Sequence, residues 1–268
     1  MRNAATFERL RIIAPLVAVT AALLAFPSPS MAQVKVLISG GFSSAYNQVL
    51  PEFERTTGIT VSTGSGASQG SGQQTIAAQL QRGVAADIVI LSREGLAELI
   101  AAGRIVAGTD VDLARVPLGA AVRAGAIKPD VSTVEALKQT LLNAKTIAVP
   151  GSTSGIYLTT KLFPQLGIAD RITVKVTERG SQSAAMVASG GAEIVIQPVS
   201  ELMNVPGIEV AGRLPSDVQL VQTFAAAIAV GSKETDAAKR LIEFLASERS
   251  STAIEKNGMD PVHKRAAY

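Results

Sequence analysis

The sequence predicts an α/β protein of two sheet-and-helix lobes with a ligand cleft between them. Three observations predict it. From Val34 onward, short apolar runs alternate with segments of helical spacing, the βαβ pattern that builds parallel sheets flanked by helices. The alternation pauses past Ala107 and resumes in the middle of the chain, so the architecture of the first third recurs. The loops that end the apolar runs are rich in glycine and hydroxyl residues. In such sheets ligands sit off the carboxyl ends of the strands, where those loops lie.

Residues 1–32 read as a removable export signal. Arg2, Arg9 and Arg11 form a basic start, Ile12 to Phe26 is uncharged and apolar, and Ser30-Met31-Ala32 gives a small–x–small cleavage site before Gln33. The apolar core is shorter than the roughly 20 residues a membrane span needs. A periplasmic location follows, with cleavage after Ala32. The formal charge of +3 belongs in part to this segment, and the remainder is close to neutral. Mixed charges and few aromatics give no nucleic-acid footprint. With no cysteine in the chain, disulfides, thiolate metal sites and cysteine nucleophiles are excluded.

In the mature chain, Val34 to Ile38 reads as a buried strand running into Ser39-Gly40-Gly41-Phe42-Ser43-Ser44. A helix follows on Ala45, Val49, Leu50 and Phe53, closed by Gly58. Ile59 to Ser62 is the next strand. The small polar loop Thr63–Gly72 then feeds a helix over Gln73–Gln81. Ala86 to Leu91 is a third strand and Glu94 to Ala102 a short helix. Leu113 to Val122 reads as a crossing strand broken by Pro117. Ser132 is the expected N-cap of a helix over Val134–Asn143, with Glu135 completing a capping box.

The central stretch has the same form. Thr146 to Val149 ends at Pro150-Gly151, and Ser152, Thr153 and Ser154 precede helical spacing from Ile156. Unpaired N–H groups and a positive dipole at a helix start suit an anion. The same residues also serve as ordinary caps. Thr173–Thr177 leads into Glu178-Arg179-Gly180-Ser181 and another helix. Glu193–Gln197 is a strand, Ser200-Glu201-Leu202 starts a short helix, and Phe224–Val230 is a late strand. Helices over Asp236–Ser247 and Thr252–Lys256 end the pattern. No metal-ligand cluster and no G-x-S-x-G appear, so neither a metal site nor serine-hydrolase chemistry is expected. No cofactor is called for.

The strand–Ser39-Gly40-Gly41–helix start, Arg82 to Ile88, Ser154-Gly155-Ile156-Tyr157 and the late alternation of strand and helix resemble the periplasmic solute-binding proteins of the molybdate-binding type. The likeness covers essentially the whole mature chain. It implies the type II periplasmic-binding-protein fold, with 33–115 plus 223–268 as one lobe and 116–222 as the other. It also implies a small anionic ligand held by hydroxyls and backbone N–H groups, an ABC transporter membrane component as partner, and a monomer. The implied ligand positions are Gly41 (where the family's first loop offers a serine) with Ser43 and Ser44, then Ser68 or Ser71. Ser154 and Gly180-Ser181 fall at backbone-donor positions, and Gln197 stands where the family often has a tyrosine.

A narrower resemblance rests on Lys128-Pro129-Asp130, Leu162-Phe163-Pro164, Gln197 to Leu202 and Val205 to Ile208. It points to the branch that includes bacterial aconitate isomerase, an enzyme on the same fold. Two functions are therefore carried forward. One is a receptor holding a carboxylate, or an oxyanion such as molybdate, for an ABC-type importer. The other is an isomerase interconverting cis- and trans-aconitate.

An isomerase needs a base on the carbon acid and donors or cations on the carboxylates. The lone histidine, His263, lies in a basic tail and reads as solvated. Glu178 and Glu201 are the candidate bases, although Glu201 also reads as the dipole-favoured acid of a short helix. Asp87 reads as structural. Arg179, beside Gly180 at a strand end, is the best-placed carboxylate clamp. Tyr157 has two readings, a hydroxyl donor to the ligand or a ring packed between helix and sheet. Gly41 is expected to open room for a ligand larger than a tetrahedral oxyanion.

Overall fold

In the computed structural model, residues 32–262 are described; residues 1–31 of the expected export signal, and the tail with His263, lie outside them. In chain order the elements are β1 (Gln33–Ile38), α1 (Gly40–Thr57), β2 (Thr60–Ser65), α2 (Ile76–Gln81), β3 (Ile88–Ser92), α3 (Arg93–Ala101) and β4 (Val111–Arg123). Next come α4 (Val134–Asn143), β5 (Ile147–Pro150), α5 (Thr153–Tyr157), α6 (Phe163–Gln165), β6 (Val174–Thr177), α7 (Gly180–Ala188) and β7 (Ile194–Pro198). The chain closes with β8 (Ile208–Arg213), β9 (Val221–Ile228), α8 (Thr235–Leu245), α9 (Ser251–Lys256) and β10 (Asp260–Pro261).

The strands follow one hydrogen-bonded path, β2-β1-β3-β9-β4-β7-β5-β6, with β8 and β10 beside β4. Two parallel blocks, β2-β1-β3 and β7-β5-β6, match the βαβ reading. The strands between them do not, because β9 and β4 run antiparallel to their neighbours. Strand β4 passes from one block to the other. Its residues up to Pro117 pair with β9, and from Leu118 they pair with β7. Pro117 has no N–H to give a ladder, and the exchange of partners falls at that point. Gln219 secures it, accepting from the Leu118 N–H (2.7 Å) and donating to the Leu118 and Leu214 carbonyls.

Each block buries both of its faces. Val34, Val36 and Ile38 of β1 pack against α1, α8 and α9, while Leu37 and Val89 face Ile76 and Leu96. The second block has the same two-sided core, with Ile147 and Val149 on one face and Ala148 and Val195 on the other. The apolar runs of the sequence have this cause: a strand covered on both faces carries no polar alternation. Asp87 ties the first block together. Its carboxylate accepts from the N–H groups of Lys35, Lys233 and Glu234 and from the Ser232 hydroxyl. Burial alone would raise its pKa, but these four bonds hold it below the ordinary value.

Three helix starts differ from expectation. Helix α2 begins at Ile76 rather than Gln73, capped by Thr75, which accepts from the Ala78 N–H. Helix α4 is capped by Thr133 rather than Ser132, whose N–H instead bonds the Asp130 carboxylate (2.8 Å). Helix α5 begins at Thr153 and runs through a π-helical turn, Leu158–Leu162, into α6. Among the described residues no helix is long and apolar enough to cross a membrane.

Candidate functional site

The hydroxyl-rich loops of both blocks converge on one cavity of about 260 Å³. It lies where α1 and α7 begin, so two sets of unpaired helix N–H groups border it. From the first block come the α1 start and Ser68; from the second come Ser152, Ser154 and the α7 start. Among the lining residues the charged side chains are Arg179 and Glu201.

Of the residues marked in the sequence, Gly41, Ser43, Ser44, Ser68, Ser154, Arg179, Ser181 and Glu201 line this cavity. Four others lie elsewhere. Ser71 and Glu178 line a separate hollow beyond the loop that follows β2. The Tyr157 hydroxyl donates to the Val218 carbonyl (3.0 Å) and its ring packs on the second core, so the packing reading holds. Gln197 is fully buried and donates to the Glu201 carbonyl oxygen (3.0 Å), so it sits behind the site. Ser39 and Ser152, which stand in two of the hydroxyl-rich loops, line the cavity too, whereas sequence reasoning missed Ser200, Met203, Gln222 and Phe224.

Gly41 does not open room. A Cβ there would overlap the Phe224 ring, which already fills the space. Phe224 arrives from β9, some 180 residues on, so no local pattern could have announced it.

Glu201 is the last residue of a single 3-10 turn, Val199–Glu201, after the cleft-lining Pro198. It is thus the acidic residue of that one-turn helix, as the sequence suggested, and it lines the cavity as well. Its carboxyl lies between the two helix starts. Side chains added at Gly40 or Gly180 would run into it, the latter with a Cβ 2.7 Å from Oε1. No described residue hydrogen-bonds this carboxyl. Burial pushes its pKa from an ordinary 4.5 up to about 7, partly opposed by the Arg179 charge.

Arg179 is held by its backbone. Its N–H donates to Gln182 Oε1 (3.2 Å) and its carbonyl accepts from the Thr177 hydroxyl (2.8 Å). The guanidinium makes no hydrogen bond or ion pair with a described residue, which leaves it free for a ligand. Around the mouth the two blocks touch. Ser92 and Thr153 share a buried hydroxyl hydrogen bond (2.8 Å), the Gln69 N–H reaches Ser152 Oγ (3.4 Å), and Ser200 donates to the Gly41 carbonyl (2.7 Å). The arrangement suits a small anion held by one guanidinium, neutral hydroxyls and helix N–H groups, beside a carboxyl able to exchange a proton near neutral pH. Among the described residues no group of three or more acidic, histidine or cysteine side chains is placed to hold a metal.

Comparison with known proteins agrees with this architecture. Over 253 residues the chain is 35% identical to an aconitate isomerase of a Pseudomonas species, covering 92% of this chain and 97% of that protein. The fold is shared with the periplasmic molybdate-binding protein of Azotobacter vinelandii, at TM-score 0.65 and 16% identity over 87% of this chain and all of that one. It is also shared with the sulfate-binding protein SubI of Mycobacterium tuberculosis, at TM-score 0.69 and 18% identity, covering 86% and 87% of the two chains. The model of the bacterial extracellular solute-binding protein family matches residues 34–260, and the chain belongs to that family.

Proposed function

We propose that this protein is an aconitate isomerase, interconverting cis- and trans-aconitate in the periplasm after export. One observation carries the reading: Glu201, a carboxyl without a hydrogen-bond partner and with its pKa pushed up to about 7, sits in the anion cleft with Arg179. A receptor for an anion gains nothing from a carboxylate in its cleft. A proton-shift enzyme requires one, and its ideal pKa lies near the working pH. The 35% identity to an aconitate isomerase over nearly the full length of both chains supports the same choice.

The chemistry needs no added reactant. The Glu201 carboxylate takes a proton from the methylene carbon of aconitate. The electron pair of that C–H bond spreads over the three-carbon allylic unit and its carboxylates. The protonated Glu201 then returns a proton at the far carbon, and the double bond re-forms one position along in the other geometry. Arg179 and the N–H groups at the α1 and α7 starts favour the charge that develops on the carboxylates. A cavity of about 260 Å³ lies below the 300–1,000 Å³ usual for drug-sized ligands, which suits a six-carbon acid.

The test is to mix mature protein with cis-aconitate and follow the trans isomer by chromatography. Turnover that disappears in Glu201→Gln and falls steeply in Arg179→Ala is the expected result. Binding of aconitate without turnover would instead return the protein to the receptor reading, delivering a carboxylate to an ABC-type importer. Tight molybdate binding indifferent to Arg179→Ala would overturn the carboxylate reading altogether.

A further inference from the structure

We infer that Ser39 and Gln222 form an uncharged subsite that holds one terminal carboxylate of the substrate, across Glu201 from Arg179. The inference rests on the polycarboxylate reading above and adds how such a substrate is oriented.

Ser39 is the N-cap residue of α1, a place where serine ordinarily accepts from a first-turn N–H. Here the hydroxyl makes no cap bond. It is 3% exposed, lines the cavity, and has no partner among the described residues. Gln222 projects from β9 on the face that also carries Phe224, since side chains two apart along a strand share a face. Phe224 lies against Gly41, which places Gln222 on the α1 side of the cleft. Gln222 is 2% exposed, lines the same cavity, and its amide oxygen is likewise without a partner. Buried polar groups in native proteins are nearly always paired. Two unpaired ones facing one cavity mark the place of a ligand group. Gln197 also carries an unpaired amide oxygen, but it does not line the cavity.

The chemistry of the missing partner follows from what is there. A hydroxyl and an amide are neutral donors once the amide turns its NH₂ group inward, and an amide's two ends exchange by a half-turn. Both stand beside the N–H groups of the α1 start, which favour negative charge. Glu201 lies between this corner and the α7 start, where Arg179 stands. A substrate with one carboxylate on Arg179 and another on Ser39 and Gln222 therefore presents its middle carbons to the Glu201 carboxyl. A monocarboxylate has only one charged group to offer the two anchors.

The experiment measures trans-aconitate binding by calorimetry, together with steady-state isomerisation, for the wild type, Ser39→Ala, Gln222→Leu and Gln222→Glu. Each neutral variant is expected to weaken binding by about tenfold. KM should rise with kcat nearly unchanged, because the subsite grips ground and transition states alike. Gln222→Glu places a negative charge against the carboxylate and should weaken binding about a hundredfold. The ligand-free melting temperature of Gln222→Leu should equal or exceed that of the wild type, since the substitution removes a buried unpaired group; a structural role for Gln222 predicts a fall. Unchanged affinity in both neutral variants would overturn the subsite while leaving the isomerase reading intact. Failure of the wild type to bind trans-aconitate at all would overturn the polycarboxylate reading, and the subsite with it.

Discussion

Glu201 shows how burial alone can make a base. Its folded-state pKa lies above its ordinary value, so below about pH 4.5 the carboxyl is neutral in both folded and unfolded chains and burial carries no penalty. As pH rises through the window from 4.5 to about 7, the unfolded chain releases its proton while the folded one retains it, and stability falls. Glu201→Gln is therefore expected to raise the melting temperature more at pH 8 than at pH 5. The gain should be on the order of 2 kcal/mol after allowing for the water that reaches the cleft. The same ionisation sets activity. As a base Glu201 works in its charged form, so kcat/KM should rise with pH and level off above an apparent pKa near 7. A flat profile between pH 5 and 8 would remove Glu201 from the chemistry. Ser154, 3% exposed at the start of α5, tests the hydroxyl lining separately. Ser154→Ala should weaken aconitate binding by about 1–3 kcal/mol in calorimetry, and unchanged affinity would leave Ser154 as a helix-start residue only.

At the scale of elements, α1 and β9 depend on each other through Gly41 and Phe224. The ring occupies the volume that a side chain at residue 41 would need. Gly41→Ala should lower stability by about 1–3 kcal/mol through overpacking, and Phe224→Leu in the same chain should recover part of it. Chemical denaturation of the four proteins of that cycle checks the coupling; additive losses would show that the two residues do not compete for space. Asp87 serves a comparable purpose between β1 and the turn before α8. Its pKa is depressed, so its contribution is complete above the unfolded value of 3.8 and is lost as pH falls below it. Asp87→Ala leaves the Lys35, Lys233 and Glu234 N–H groups without their acceptor and should cost about 3 kcal/mol at pH 7. Melting curves at pH 7 and pH 3 should differ less in the variant than in the wild type.

At the scale of the molecule, the repeated strand–loop–helix pattern was legible because each unit writes its own periodicity and turn residues within about thirty residues. The antiparallel run of β9 and β4 was not, since strand direction depends on partners far apart in sequence. The site divides along the same line. Ser43, Ser44, Ser68, Ser154, Arg179, Ser181 and Glu201 could be named because each stands in or beside a loop at a strand end. Gln222 and Phe224 sit within a strand and enter the cavity only because β9 threads between the two blocks. Tyr157 and Gln197 stood next to the right loops, and their neighbours in space turned them away. Closure of the cleft has a consequence of its own. Gly70, at φ +112°, lies so close to Gly151 that a Cβ on the former would overlap the carbonyl oxygen of the latter. At this point the two halves meet over bare backbone, with no room for a side chain at residue 70. A single methyl group at residue 70 would act as a wedge between the two blocks, holding the mouth ajar and letting bulk water in. Gly70→Ala should accordingly show a larger radius of gyration with saturating ligand in X-ray scattering than the wild type, and an identical radius would mean the jaws yield elsewhere.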